Sequence, residues 1–413
     1  MQNSIKLILF FLLFGTVVLS AKQNSAEEKP NSHSATEEKH EGSHEGGFDV
    51  KNTIFHHIGN QNVFSIGPWN LPLPVFLYAT DKGWSVFMSS KFGIGHHGNG
   101  RKVVDSYVLS EGSVFRIEDK NFPQKGEFEI ENSQRKEEEV NGKKKEIQYV
   151  IVDGKSYKLE NKTTWDGGFL GGGVTSFYDF SLSKNVIFMI LTAFLLLWLF
   201  IGIAKEYKKR QGLAPKGAQG FFEVMILFVR DEVAKPFIGH KYNKYLPYLL
   251  TIFFFILFLN LLGQIPFFGS ANTTGNLSVT MGLAIIAFFI VNISGRKTYW
   301  EHVLWMPGVP WWVKATILTP VEFIGLFIKP FTLMLRLFAN ITAGHMVILV
   351  FVGLIFIFGK AGESISGSVT GMFMAVPLVM FMMALELIVA FIQAFVFTML
   401  VASYIGAAVE EHH

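Results

Sequence analysis

The 413-residue chain contains no cysteine. That excludes a disulfide framework, a thiolate nucleophile and any metal site built on sulfur. Charge is also scarce: Asp, Glu, Lys and Arg together make up 17% of the residues, and the formal net charge is only +3. No basic block is interleaved with aromatics, so nucleic acid is not an expected partner. The glycine-rich stretch DGGFLGGGVTS (166–176) is followed by no Gly-Lys-Ser/Thr, so it is no phosphate loop. Nor does a G-x-S-x-G elbow occur to suggest a serine hydrolase. Long apolar runs are missing from residues 22–180, which are ordinary polar protein.

What the chain has in quantity is apolar surface. Half its residues (50%) are hydrophobic, 42 of them Phe, and they concentrate beyond residue 180. The division predicts a polar extension first and a polytopic membrane domain second. At the start, MQNSIKLILFFLLFGTVVLSAKQ has one Lys, an apolar core at Leu7–Val18 and small residues at Ser20–Ala21. This is signal-peptide grammar over residues 1–21, with a retained first helix as the alternative. Either delivers the extension across the membrane. Residues 22–47 are charged and poor in apolar side chains, which predicts a disordered leader. His33, His40 and His44 lie within it, and no metal site is expected of them.

Residues 48–160 read as β-rich. SVFMSSKF and DSYVLSEGSVFRIED carry strand formers, and VIVDGKSYKLE holds an Asp-Gly turn signal. RKEEEVNGKKKEIQYV, folded about Asn141-Gly142, would set Glu139 opposite Lys144 and Glu138 opposite Lys145. A plain solvated charge run is the alternative. The glycine-rich stretch is read as a linker to the membrane, which closes an extension and linker over 48–180.

Five membrane segments are expected, near 184–204, 246–266, 277–295, 316–358 and 370–408, with FFEVMILFVRDEV (221–233) as an amphipathic surface helix. Lys205, Lys208, Lys209 and Arg210 follow the first segment, and Arg296 and Lys297 follow the third. The opposite loops carry almost no positive charge. The positive-inside rule therefore places 22–180 outside and the C-terminus in the cytoplasm. Phe331–Gly359 contains no proline, and as one helix of 29 residues it would run about 43 Å. Leu378–Ala408 is longer still. Both exceed a hydrocarbon core of about 30 Å, so the last two helices must tilt strongly, bend or lie partly along the membrane.

Polar groups interrupt these two helices. Arg336, Asn340, Ala343, Gly344 and Val347 share one helical face, with His345 at its edge. Glu386, Ala390, Gln393, Ala394 and Phe397 repeat the pattern in the last segment. Small residues on such faces ordinarily serve helix packing in lipid. Arg336, His345, Glu322 and Glu386 are ionisable groups within membrane segments, and such groups line wet paths, proton relays or charge-paired sites. A purely structural Arg336–Glu386 ion pair is the plainer alternative. His345 with Glu386 suits a proton relay, since both titrate near physiological pH when partly buried.

LMLRLFANITAGH, KP at 329–330, Glu322 fourteen residues before the arginine, and LELIVAFIQAFVFTML resemble subunit a of the F-type ATP synthase. So do FLNLLGQIPF (258–267), TTGNLSVTMGLA (273–284) and GLAPKG…FFEV. The resemblance covers about 181–410. It implies an all-α polytopic membrane domain of about five membrane helices over 181–410. It also implies a non-catalytic, proton-translocating stator subunit that needs no cofactor or metal. Arg336 would face a ring of c subunits, each with a mid-membrane carboxylate, and would block direct leakage between two half-channels. The outer path would run near His345, Asn340, Glu386 and Gln393, and the inner near Glu322. Subunit b of the peripheral stalk, the rest of the complex and the lipid bilayer of a bacterial inner membrane are the implied partners. Some bacterial relatives carry Glu at the position of His345 and His at that of Glu386; the exchanged pair found here also occurs in the family. The family's short external N-terminus is replaced by roughly 160 polar residues, on which the resemblance is silent. H⁺ is the expected ion.

Two other classes compete. A secondary transporter could use Arg336 to hold an anionic substrate, but it would predict internal repeats and broken helices. An intramembrane enzyme built on His345 and Glu386 would need a nucleophile that no motif supplies.

Overall fold

The computed structural model describes residues 62–66, 69–94, 99–140, 143–163, 174–265, 273–305, 311–359 and 364–409. The expected signal peptide, the leader with its histidines and the Asn141-Gly142 turn lie outside these. So do most of the glycine-rich stretch and the last four residues.

The extension is all β. Strands β1 (Val63–Ile66) and β2 (Trp69–Pro72) form a hairpin. A three-stranded sheet holds β3 (Pro74–Ala79), β4 (Gly83–Met88) and β12 (Phe177–Asp179) in the order β12-β3-β4. The remaining strands are β5 (Lys102–Val104), β6 (Tyr107–Ser110), β7 (Ser113–Ile117), β8 (Glu127–Glu129), β9 (Asn132–Val140), β10 (Lys143–Val152) and β11 (Lys155–Glu160). They make one sheet in the order β8-β5-β6-β7-β11-β10-β9.

Local turn chemistry sets the hairpins. Glu111-Gly112 joins β6 to β7 and Asp153-Gly154 joins β10 to β11, each with both residues at positive φ. That geometry matches the twist of paired strands and favours glycine at the second position. The β9–β10 register pairs Glu139 with Lys144 and Glu138 with Lys145, as the sequence predicted. SVFMSSKF is corrected: its strand ends at Met88, and Ser89–Phe92 forms a tight 3₁₀ turn. Phe92, Tyr107, Phe177, Leu77 and Leu109 form one buried core, and Phe115, Phe122, Val150 and Val152 belong to another. Arg116 is 4% exposed, and its guanidinium forks onto both oxygens of Asp81, one at 2.9 Å. This hydrogen-bonded pairing holds the Asp81 carboxyl below its ordinary value, against the opposing effect of burial.

Beyond the glycine-rich stretch the chain returns to the extension. Thr163 N–H donates to Phe177 O at 2.8 Å, and β12 pairs with β3. Only four residues then separate β12 from the first long helix.

Five helical stretches among the described residues are long and apolar enough to cross a membrane. Helix α1 is Lys184–Lys209. Helix α2, Ala218–Phe228, runs into a widened turn at Val229–Ala234 and a short helical turn at Lys235–Ile238. The path breaks at Gly239, whose φ of +67° suits a residue without a Cβ. Helix α3, Tyr242–Gly263, is the centre of the bundle, with Leu249, Ile252, Phe253 and Phe255 fully buried. Helix α4, Leu277–Ser294, is capped by Asn276, whose side chain accepts from Ser278 N–H at 2.9 Å. Helix α5 is Lys297–Trp305, α6 is Thr319–Phe358 and α7 is Ile365–Val409.

The last two helices fill the expected segments near 316–358 and 370–408, α7 beginning five residues earlier. Helix α6 runs unbroken through Pro330 and α7 through Pro377, so each exceeds the proline-free stretch on which the length expectation rests. Each proline removes one backbone bond, a loss that neighbouring helices make tolerable in a membrane bundle. At 40 and 45 residues they extend about 60 and 68 Å. Glycines let them pack closely near their connection: a Cβ on Gly371 would sit 3.0 Å from the Ile355 Cα. At the other end, Ala408 O accepts from Arg296 N–H at 3.1 Å and Val409 O from Lys241 Nζ at 3.4 Å. The end of α7 therefore lies beside the loop that carries Arg296 and Lys297.

Candidate functional site

The site forms where α6 and α7 lie along each other. On α6, Arg336, Asn340, Ala343 and Val347 recur at helical spacing and are all exposed. Arg336 makes no hydrogen bond or ion pair among the described residues. Ala339 beside it is also exposed, so the charge stands on an open, small-residue face. This face and the apolar outer face of α7 are little covered. Only 11% and 17% of the most apolar stretches of these two helical spans are buried, against 67% of that in 218–263.

Gly344 and His345 point elsewhere. The His345 imidazole Nδ1 lies 3.3 Å from Glu386 Oε1, with the two side chains 16% and 5% exposed. The approach lacks hydrogen-bond alignment, and Glu386 Oε1 has no hydrogen-bond partner among the described residues. A buried carboxyl oxygen without one carries a desolvation cost of about 1–3 kcal/mol. Gly344 faces the same group: a Cβ there would sit 3.0 Å from Oε1. Ala390, Gln393 and Ala394 continue the buried face of α7. The sequence-level face of five is thus divided, with Arg336, Asn340, Ala343 and Val347 outward and Gly344 turned to α7. The Arg336–Glu386 ion pair does not form; the partner of Glu386 is His345.

Two supports were not visible in the sequence. Lys184, the first residue of α1, is 7% exposed and close enough to His345 to act on it electrostatically. A lysine at the end of an apolar run ordinarily reads as an interfacial anchor. Asn260 on α3 accepts from Thr274 Oγ1 at 2.6 Å and donates to Ala390 O at 3.5 Å, tying α3 and the α3–α4 loop to the Glu386 face.

Glu322 lies apart from these groups. It is half-buried in the first turn of α6, fourteen residues before Arg336, or about 21 Å along the axis. His345 is about 13 Å to the other side. Glu322, Lys329 and Arg336 fall at seven-residue steps, so they share one stripe of the helix. Beside Lys329, residues of α4 to α7 line a partly open pocket of about 20 Å³, Asn292, Tyr299 and Tyr404 among them. The Lys329 ammonium sits 5.5 Å over the Tyr404 ring. Burial, and then the Glu322 carboxylate, push the Tyr299 hydroxyl above its ordinary value.

Comparison with known proteins bears on both parts of the chain. A family model described as ATP synthase A chain matches residues 186–406, and one described as Domain of unknown function (DUF8433) matches residues 53–134. "ATP synthase subunit a" of Chloroherpeton thalassium is 43% identical over 247 residues, which cover 57% of this chain and 69% of the relative. The protein of that name from Chlorobium phaeobacteroides strain BS1 is 43% identical over 237 residues, 55% of this chain and 66% of its own length. The one from Anaeromyxobacter dehalogenans is 42% identical over 245 residues, 57% of this chain and 59% of its own length.

Proposed function

The chain belongs to the ATP synthase A chain family, and from that premise we propose how its residues carry protons through the membrane part of the F-type complex. The subunit itself is multi-pass and non-catalytic. Arg336 stands on the open face of α6 opposite a ring of c subunits, each bringing a mid-membrane carboxylate past it. Its fixed charge favours the ionised carboxylate and bars direct proton passage across the face. A proton enters through His345, Glu386, Gln393 and Asn340, loads a ring carboxylate and leaves near Glu322 after rotation. Each charge crossing about 100 mV releases roughly 2.3 kcal/mol, which rotation carries to the distant catalytic head.

The observation that carries this reading is the placement of three groups along α6. An exposed, unpaired arginine lies between a buried His–carboxylate pair on one side and Glu322 on the other. Two polar half-paths on opposite sides of a fixed charge are what a two-channel rotor needs. Helix α6 runs unbroken through Arg336, unlike the interrupted helices of an anion-binding transporter.

Orientation follows from the basic loops. The cytoplasmic side takes Lys205–Arg210, Arg296, Lys297 and the end of α7, and the outer side takes the extension. In a bacterial inner membrane this sets the His345 end of α6 outward and the Glu322 end inward. Because α6 and α7 are about twice the hydrocarbon thickness in length, they tilt steeply and present a long band to the ring. Residues 218–234 lie near the cytoplasmic surface, and subunit b completes the stator.

Inverted vesicles containing the assembled complex test the outer path. Glu386→Gln and His345→Ala should each lower ATP-driven acidification several-fold, while Ser156→Ala in the extension leaves it unchanged. Normal acidification in both path variants would remove these residues from the route.

A further inference from the structure

The three-stranded sheet of the extension is apolar on both faces. Val75, Leu77, Ala79, Phe87 and Phe177 fill the inner one. The outer one would ordinarily be polar in a half-buried sheet, yet β4 turns Trp84 (61% exposed), Val86 (61%) and Met88 (43%) outward. The register sets Tyr178, Tyr78 and Trp84 in a row across the three strands, with Phe76 beside Val86 in the next. Ring centroids are 5.2 Å apart for Tyr78–Trp84, 5.6 Å for Trp84–Phe180 and 6.3 Å for Tyr178–Phe180. No charged residue stands among the outward positions of β3, β4 and β12.

This face is fastened to the start of the first membrane helix. Phe180 N–H donates to Phe76 O at 2.8 Å, Leu182 N–H to Pro74 O at 3.3 Å, and Phe76 N–H to Ser181 Oγ at 3.1 Å. Lys162 and Asp179, both buried, pair at 3.3 Å where β12 ends. Leu73, just before β3, packs into the same cluster as Val186, Phe188 and Met189 of α1. Phe180 is four residues from Lys184, at most about 14 Å of extended chain. The face therefore sits at the mouth of a membrane span whose own outer side, Leu191, Phe194 and Trp198, is exposed and apolar.

We propose that the outer face of the three-stranded sheet, carried by Tyr78, Trp84, Val86, Met88, Tyr178 and Phe180, is a membrane-interface anchor lying in the headgroup zone of the leaflet from which α1 enters. Tyr and Trp favour that zone, where an apolar body and a polar tip are both satisfied. The short tether to a membrane span, the absence of charge and the Tyr and Trp content of the face select lipid over a protein partner. The inference goes beyond the proton path, and it requires only that α1 cross a membrane.

The absence of cysteine makes the test direct. Trp84→Cys in the full chain is labelled with an environment-sensitive fluorophore and reconstituted in phosphatidylcholine–phosphatidylglycerol vesicles. Ser156→Cys, on exposed β11, serves as the solvent reference. Spin-labelled lipids bearing the nitroxide near the headgroup should quench the label at 84 more strongly than deep-acyl nitroxides do. Aqueous iodide should quench it several-fold less than the label at 156. Met88→Cys, a smaller change on the same face, repeats the reading if Trp84→Cys fails to fold. Equal iodide quenching at both sites without lipid quenching overturns the anchor. So does protection that appears only in the assembled complex, which would assign the face to a protein partner.

Discussion

Gly344 is held to its identity by a carboxyl group on another helix. A side chain there would press on Glu386 Oε1, the atom in contact with His345. Gly344→Ala should slow ATP-driven pumping several-fold with assembly intact. Gly344→Val should slow it about tenfold or more, equivalent to roughly 1.4 kcal/mol on the barrier; vesicle acidification measures both. Asp81 provides a separate prediction in the extension. Its folded-state value lies below the unfolded one, so its stabilisation is present above about pH 4 and fades as pH falls through the folded value. The Asp81 side chain is 51% exposed, so solvent screening limits the effect to roughly 1 kcal/mol or less. Acid proteolysis of the extension in the full-length chain should quicken as pH drops, and Asp81→Asn should flatten that dependence. The candidate residues Arg336, Asn340, His345, Glu322, Glu386 and Gln393 stand out in the sequence because ionisable or amide groups in an apolar run are costly and therefore conspicuous. The orientation of Gly344 was not. Helical spacing tells which residues share a face, but only packing against α7 tells where that face is turned.

Helices α6 and α7 define the element scale. One side of α6 is committed to α7, and the other presents Arg336, Asn340 and Ala343 to the outside. A small residue at 343 keeps that surface shallow enough for another helix to pass close by. Ala343→Phe should therefore abolish coupled pumping while changing the subunit's own thermal stability by no more than about 0.5 kcal/mol. Thermal unfolding in detergent and acidification by the complex together check the split. The positions of the membrane segments were legible from apolar runs alone. So was the extent of the last two, 316–358 and 370–408 against Thr319–Phe358 and Ile365–Val409. What the runs did not tell is that the helix stays regular through Pro330 and Pro377, which depends on the surrounding bundle. Among the strands, Asp153-Gly154 announced its hairpin by local chemistry. The junctions β8-β5 and β7-β11, which join the local hairpins into one sheet, depend on pairings between non-consecutive strands that no local pattern encodes.

At the scale of the whole molecule, the chain has two ends of different character. The extension packs against the start of α1, where Lys184 approaches His345. The basic loops gather with the end of α7 at the other end. Arg336 lies between these ends, exposed on a face that the other described residues do not cover. The cost of such a charge in lipid, about 2.5–3.5 kcal/mol on insertion scales, is met in this account by carboxylates that arrive on a moving neighbour. The most direct test is ATP-driven proton pumping by the assembled complex carrying Arg336→Ala in inverted membrane vesicles. The variant complex should assemble and pump no protons; pumping at the unsubstituted rate would contradict a role for Arg336 in coupling.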